Sequence, residues 1–137
     1  MVLSKLKILH LSTNDIRGGA AIAAYRLHVG LKRQGQESKM LVRHKHGNDS
    51  DVFVMRGPRR YPKKLSKWLS KAPLLAYVNR KKAPFSTGLL HRSDWHAVKD
   101  ISPGVIHLHW INDGFLSLND LSGLFSLGIP IVWSLHD

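Results

Sequence analysis

The first 35 residues constrain the fold most, because a strand, a glycine-containing loop and a helix follow one another there. The apolar segment 6–11 predicts a strand, and the polar segment 12–17 predicts a loop. An alanine-rich segment after Gly18 and Gly19 predicts a helix over residues 20–34, ended by Gly35. Such a unit places a helix N-terminus, with its free N–H groups and dipole, beyond the carboxyl end of the strand, where it can bind an anion. The glycine pair can equally serve only as a tight turn.

The segments that follow continue the alternation of strand and helix. Strands are predicted at residues 38–42, 51–55, 105–109 and 131–135, the last of them buried; helices are predicted at 62–78 with a break at Pro73, at 94–99 with Ser93 as N-cap, and at 115–127. This order favours parallel strands joined by right-handed crossovers. We therefore predict an α/β fold, a Rossmann-like parallel sheet flanked by helices, forming one domain over residues 1–137.

Composition excludes several classes of protein and site. The chain has no cysteine, so it has no disulfide framework, thiolate metal site or cysteine nucleophile. The N-terminus does not have the pattern of a signal peptide, and no apolar run reaches the length of a membrane-spanning helix. A cytoplasmic location is expected.

The net charge of +12 is concentrated in a basic segment, residues 56–82, inserted within the domain. Ten of the 21 Lys and Arg residues lie there, with no acidic residue. At helical spacing, apolar side chains form one face and lysines the other; the residues expected to meet an anionic membrane surface are Lys63, Lys64, Lys67, Trp68 and Lys71. The alternative is an ordinary helix with a solvated basic face. The segment offers no base-stacking platform, which argues against a nucleic-acid partner.

Histidines lie in one of the predicted strands and directly after another. Strand alternation places His107 and His109 on one face, but no third ligand at a suitable spacing is evident, so no metal site is predicted. His109 and Trp110 come at the carboxyl end of their strand, the edge where open parallel sheets bind ligands. His136 follows the last strand and either lines the same cleft or belongs to a polar terminus.

Neither phosphate-binding fingerprint is present at the glycine pair. The spacing Gly-x-Gly-x-x-Gly is absent, no Gly-Lys-Ser/Thr follows, and Arg43 stands where a dinucleotide-binding strand ends in an acidic residue. An NAD-linked oxidoreductase is therefore disfavoured.

These segments together resemble the N-terminal half of family-4 glycosyltransferases of the GT-B fold, closest to bacterial members that build exopolysaccharide or lipopolysaccharide. The resemblance rests on three segments, Ile8–Ser12 followed by Gly18-Gly19-Ala20-Ala21, Val105–Trp110, and Pro130–Asp137. It implies one of two Rossmann-like domains that face each other across a cleft. It also implies retaining transfer of a sugar from a nucleoside-diphosphate sugar (UDP or GDP type), without a cofactor or bound metal.

The resemblance implies a role for individual residues. Gly18 and Gly19 match the loop that approaches the donor phosphates, and His136 matches a histidine beside the donor sugar. His109, Trp110 and Asn112 would line the acceptor cleft, for a saccharide or lipid-linked acceptor. The C-terminal donor domain of such enzymes is missing here, so the isolated chain is expected to be inactive, although the full-length parent would be an enzyme.

The expected function is therefore the acceptor-side part of a glycosyltransferase, peripheral on the inner face of the cytoplasmic membrane. The alternative is a non-catalytic Rossmann-like module that binds anionic membrane or another polyanion.

Overall fold

The computed structural model describes residues 5–55 and 95–136, which contain five strands and three helices. In chain order these are β1 (Lys7–Asn14), α1 (Gly19–Arg33), β2 (Glu37–His44), β3 (Val52–Val54), α2 (His96–Ile101), β4 (Val105–Leu108), α3 (Leu118–Phe125) and β5 (Ile131–Trp133). The predicted helix at 62–78 and the basic segment lie outside the described residues. Within the described ranges, every helix is too short or too polar to cross a lipid bilayer.

The five strands form one parallel sheet in the order β3-β2-β1-β4-β5. This confirms the predicted Rossmann-like α/β fold. The chain moves outward from β1 in one direction through β2 and β3, and in the other through β4 and β5. The strand order therefore reverses between β1 and β4, and ligands of open α/β sheets bind at such a switch point.

The two faces of the sheet are packed differently. On one face, strand residues such as Leu9, Ile106 and Leu108 join Val98 of α2 and Leu124 of α3 in the main apolar core. On the other face, α1 covers β1 and β2. The small buried side chains of Ala21 and Ala24 allow the helix to approach the sheet closely. A smaller cluster forms there from Ala24, Met40, Val42 and Val52.

The first strand and helix differ from the sequence prediction in two respects. β1 continues to Asn14 rather than ending before Ser12, because Ser12 and Asn14 pair with Val42 and His44 of β2. Tertiary pairing here overrides the loop propensity of a polar segment. On α1, helical spacing predicts an apolar face that includes Ala21, Ala24 and Leu27; the buried residues are Ala21, Ala24 and His28, whereas Leu27 is exposed.

The later elements differ from the prediction in their bounds or burial, for local reasons. α3 begins only at Leu118, because Ser117 and Asp120 form a reciprocal capping box in which each side chain accepts a hydrogen bond from the other residue's N–H. The N-cap of α2 is Trp95, not Ser93. The prediction that the last strand is buried is wrong: Val132 and Trp133 are 51% and 46% exposed, because β5 is an edge strand in the described sheet.

Candidate functional site

A cleft of about 300 Å³ opens at the switch point, between the start of α1 and the loop after β4. It lies at the carboxyl ends of β1 and β4. Its lining consists of Ser12, Asn14, Arg17, Gly18, Gly19, Ala20, Ala21 and Trp110. Gly19 and Trp110 are about ninety residues apart in the chain, and the parallel pairing of β1 with β4 brings the glycine pair and Trp110 into one cavity.

The helix N-terminus in this cleft is suited to an anion. Gly18 has φ 90° and ψ 155°, a conformation that favours glycine, and its carbonyl accepts the first helical hydrogen bond from the N–H of Ile22. No described side chain caps α1. The N–H groups of the first turn, together with the helix dipole, therefore present partial positive charge to the cleft.

Ser12 supplies a second polar group to the cleft. Its hydroxyl is fully buried in the cleft lining, and it makes no hydrogen bond with the described residues. A buried hydroxyl without a partner costs free energy, so it usually has a ligand or water to bind.

Asp15 fixes the loop that precedes the glycine pair. Its buried carboxylate accepts hydrogen bonds from the backbone N–H groups of Ile16 (2.8 Å), His46 (3.0 Å) and Gly47 (2.8 Å). Burial alone would raise the pKa of this carboxyl, but the three N–H donors outweigh it and lower the pKa below its ordinary value. The ionised side chain thereby ties the loop after β1 to the loop after β2.

The opposite wall of the cleft is the loop after β4. The Thr13 N–H donates to the Trp110 carbonyl over 2.7 Å, and the Thr13 hydroxyl lies 2.9 Å from that carbonyl and 2.8 Å from the Asn112 carbonyl. The guanidinium of Arg43 donates to the Asp113 carbonyl. The end of β1 thus positions Trp110, which is partly exposed at the cleft.

Beneath this edge, three histidines from neighbouring strands form what we call the histidine cluster: His10, His107 and His109. The register pairs His10 with His107, and alternation places His109 on the same face. The ring centroids are 5.4 Å apart for His10 and His107, 5.3 Å for His10 and His109, and 4.1 Å for His107 and His109. His10 Nδ1 lies 3.0 Å from His109 Nε2.

Polar partners surround the histidine cluster. His107 Nε2 lies 2.8 Å from the Ser134 hydroxyl, and His109 Nδ1 lies 3.4 Å from His136 Nε2. Among the described residues, His10 Nε2 is buried without a hydrogen-bond partner. The cluster is therefore connected to the segment after β5 but has one imidazole nitrogen unsatisfied.

Burial keeps these imidazoles neutral. Burial, as the largest cause, and then the neighbouring histidines lower the pKa of His10 to about 3. The same causes lower the pKa of His109 to about 3. Burial, followed by His136, also lowers the pKa of His107. At neutral pH each ring therefore keeps a nitrogen lone pair, which can accept a hydrogen bond or bind a metal.

Comparison with protein families, curated proteins and solved structures finds no match to this chain.

The predicted site residues fall into four groups. Gly18, Gly19 and Trp110 share the cleft. His109 is buried in the histidine cluster, where it contacts His136. Asn112 is exposed in the loop after β4, where its carbonyl accepts from Thr13. The five predicted membrane-binding residues of the basic segment (Lys63, Lys64, Lys67, Trp68 and Lys71) lie outside the described residues.

Sequence reasoning missed His10 and His28. His10 interrupts an apolar strand, and His28 lies on the buried face of α1, where its Nδ1 is 2.7 Å from the Ser38 hydroxyl. The signal was present but needed the strand order: Leu9 and Leu11 flank His10 as Ile106 and Leu108 flank His107. Because β1 and β4 are neighbours, His10 and His107 both point away from the leucine-rich face of the sheet.

Proposed function

We propose that this chain is the acceptor-side, N-terminal part of a retaining glycosyltransferase that uses a nucleoside-diphosphate sugar. The observation that carries the proposal is that three features line one cleft at the switch point of a Rossmann-like sheet: a helix N-terminus that no described side chain caps, a buried Ser12 hydroxyl without a partner among the described residues, and the ring of Trp110. The helix N-terminus and the Ser12 hydroxyl suit the diphosphate, and the Trp110 ring suits a sugar.

The start of α1 would receive the diphosphate. The backbone at Gly18 and Gly19 carries no side chain and borders open space, since no described atom lies within 4 Å of where a Cβ would stand at either position, so a phosphate can approach it. Negative charge develops on the departing nucleoside diphosphate, and a preorganised helix N-terminus stabilises it there. The exposed Arg17 guanidinium, also in the cleft lining, adds a full positive charge.

The opposite wall would receive sugar. Aromatic rings present an apolar face with a polar edge, which suits the C–H face of a saccharide. Trp110 is held in place through its backbone by Thr13, so its ring is available to the cleft. In the proposal His136 lies beside the donor sugar, while His109 and Asn112 support the acceptor side.

The proposed division of labour assigns the nucleotide itself to a separate donor domain, as in the enzymes that the chain resembles. We therefore expect the 137 residues alone to bind the diphosphate weakly and to transfer no sugar. Clear product from a sugar-nucleotide turnover assay on this chain would contradict that expectation.

Nuclear magnetic resonance titration with UDP and GDP tests the phosphate site directly. The amide signals of Gly19, Ala20 and Ala21 should shift as nucleotide is added until the site is saturated. The uncharged nucleosides should cause no such shift. Gly19→Asp should weaken binding by about tenfold or more, because its carboxylate would lie against the phosphate. The same change should leave the fold intact, since an acidic residue at a helix start stabilises it by about 0.3–1 kcal/mol.

Ala23→Asp is the matched control. It adds the same charge on the exposed side of α1, outside the cleft lining, and should leave UDP affinity nearly unchanged. Ser12→Ala should also weaken binding without lowering stability, because the lost hydroxyl has no described partner. Equal affinities for the wild-type chain and the Gly19→Asp variant would refute the phosphate site.

We further propose that the basic segment brings the chain to the inner face of the cytoplasmic membrane, near a lipid-linked acceptor. The support is its ten bases without an acid. Replacement of Lys63, Lys64, Lys67 and Lys71 by Gln should abolish sedimentation with anionic vesicles. Arg26→Gln with Arg33→Gln, on α1, should have a smaller effect. Equal binding of the wild-type chain to neutral and anionic vesicles would contradict the electrostatic part.

The non-catalytic alternative keeps the membrane contact but gives up the phosphate site. Binding to anionic vesicles together with no amide shift at α1 would favour that alternative over the glycosyltransferase.

A further inference from the structure

We propose that His10, His107 and His109 form a binding site for a divalent transition metal ion, with Zn²⁺ as the best match. One ring nitrogen from each residue lies within 4.8 Å of the others. This site does not depend on the proposed function, because it needs neither a nucleotide nor a second domain. The prediction of no metal site rested on the missing third ligand, and His10 supplies that ligand from the neighbouring strand.

The strand register holds the three side chains together. His10 and His107 are paired neighbours on β1 and β4, and His109 follows on the same face. Backbone hydrogen bonds continue past β4, since the N–H of His109 donates to the Leu11 carbonyl over 2.9 Å. Ligands carried on paired strands are positioned more rigidly than ligands on loops.

The distances admit a tetrahedral ion after the rings adjust. Zn–N bonds of about 2.0–2.1 Å place two ligand nitrogens about 3.3 Å apart in a tetrahedral site. His10 Nδ1 and His109 Nε2 are 3.0 Å apart, so this pair needs a movement of a few tenths of an ångström. The His107 nitrogen lies within 4.8 Å of both, so its ring would move inward by at most about 1.5 Å.

The surrounding groups match the outer partners of known metal-binding histidines. Such residues use one nitrogen for the metal and hydrogen-bond through the other. His107 Nε2 has the Ser134 hydroxyl at 2.8 Å, and His109 Nδ1 has His136 Nε2 at 3.4 Å. His107 and His109 thus keep one nitrogen each for the ion. His10 faces His109 with Nδ1, and its other nitrogen, Nε2, is buried without a hydrogen-bond partner among the described residues.

The donor set selects the class of metal. The group offers three imidazoles and no carboxylate. Mg²⁺ and Ca²⁺ prefer oxygen ligands, whereas Zn²⁺, Cu²⁺, Ni²⁺ and Co²⁺ accept imidazole nitrogen. Three protein ligands leave a fourth position for water or a substrate oxygen.

Titration of the chelator-treated 137-residue chain with Co²⁺ tests the proposal, because the visible spectrum of Co²⁺ reports its coordination geometry. We expect one ion per chain, with an intense tetrahedral spectrum that Zn²⁺ abolishes by competition. His107→Gln should weaken binding by about a hundredfold, and this half-buried position tolerates substitution better than the fully buried His10. Bound Zn²⁺ should also raise the midpoint of thermal unfolding of the wild-type chain.

The control separates this site from surface histidines. His44 and His46 are exposed, with ring centroids 6.5 Å apart, and could bind metal weakly on their own. The double variant His44→Gln with His46→Gln should keep the tetrahedral spectrum. The proposal is overturned if the wild-type chain shows no tetrahedral spectrum, if the double variant loses it, or if a folded His107→Gln variant binds as tightly as wild type. If His107→Gln does not fold, the ring-nitrogen chemical shifts of the wild-type histidines are measured as Zn²⁺ is added. Shifts confined to histidines outside the cluster would overturn the proposal.

Discussion

His10 Nδ1 lies 3.0 Å from His109 Nε2, and both rings are buried on one face of the sheet. Both are neutral near pH 7, so one nitrogen donates its proton and the other accepts. In the metal-free chain this hydrogen bond is what satisfies the facing nitrogens of the two rings.

A double-mutant cycle measures that hydrogen bond. His10→Leu or His109→Leu alone should lower the free energy of unfolding by about 1–3 kcal/mol, because each leaves the remaining ring with a buried unpaired nitrogen. The double variant should cost less than the sum of the two single changes, with a coupling of at least about 0.5 kcal/mol. Urea unfolding at pH 7 in the presence of EDTA provides the values. Strictly additive costs would mean that the two rings do not interact.

Asp15 should make stability depend on pH in the acidic range. Its pKa is lowered in the folded chain, so it contributes stability that is present above the ordinary carboxyl pKa of 3.8 and is lost as the pH falls through the lowered value. Asp15→Asn should cost about 1–3 kcal/mol at pH 7, because an amide NH₂ would face backbone donors. The difference from wild type should shrink below pH 3.8.

The control for this prediction is Asp100→Asn, at an exposed position of α2. It should change the free energy of unfolding at pH 7 by no more than about 0.5 kcal/mol. A constant difference between wild type and Asp15→Asn from pH 7 to pH 3 would show that the charge of Asp15 does not matter.

The two glycines at the start of α1 should respond oppositely to alanine. Gly18 has φ 90°, so Gly18→Ala should cost about 1–3 kcal/mol through backbone strain, although no described atom would clash. Gly19→Ala should stabilise the chain by up to about 1 kcal/mol, because residue 19 is already helical. Thermal or urea unfolding of the two variants supplies the comparison. A neutral Gly18→Ala would indicate that the loop adopts another conformation in solution.

The fold was predictable from local sequence patterns, because the alternation of strand and helix repeats along the chain. Apolar runs separated by amphipathic segments required a parallel sheet, and Gly18, Gly19 and Gly35 marked the bounds of α1 to within one residue. The extra length of β1 was not predictable, because Ser12 and Thr13 are strand residues only through their partners. The edge position of β5 likewise depends on the neighbours of a strand rather than on its own composition.

The candidate site was predictable only in part, for a similar reason. Gly18 and Trp110 could be assigned to one sheet edge, because every parallel strand ends there. The histidine cluster could not, since the pairing of His10 with His107 depends on strand order and register. Asp15 was hidden too, because its partners His46 and Gly47 belong to the loop after β2.

In the described sheet, β5 pairs on one side only, with β4, and its other edge presents unpaired backbone groups beside Val132 and Trp133. Ser134 and His136 follow directly on this strand and contact His107 and His109. A further strand that extended the sheet at β5, from whatever source, would therefore also immobilise the outer partners of the histidine cluster.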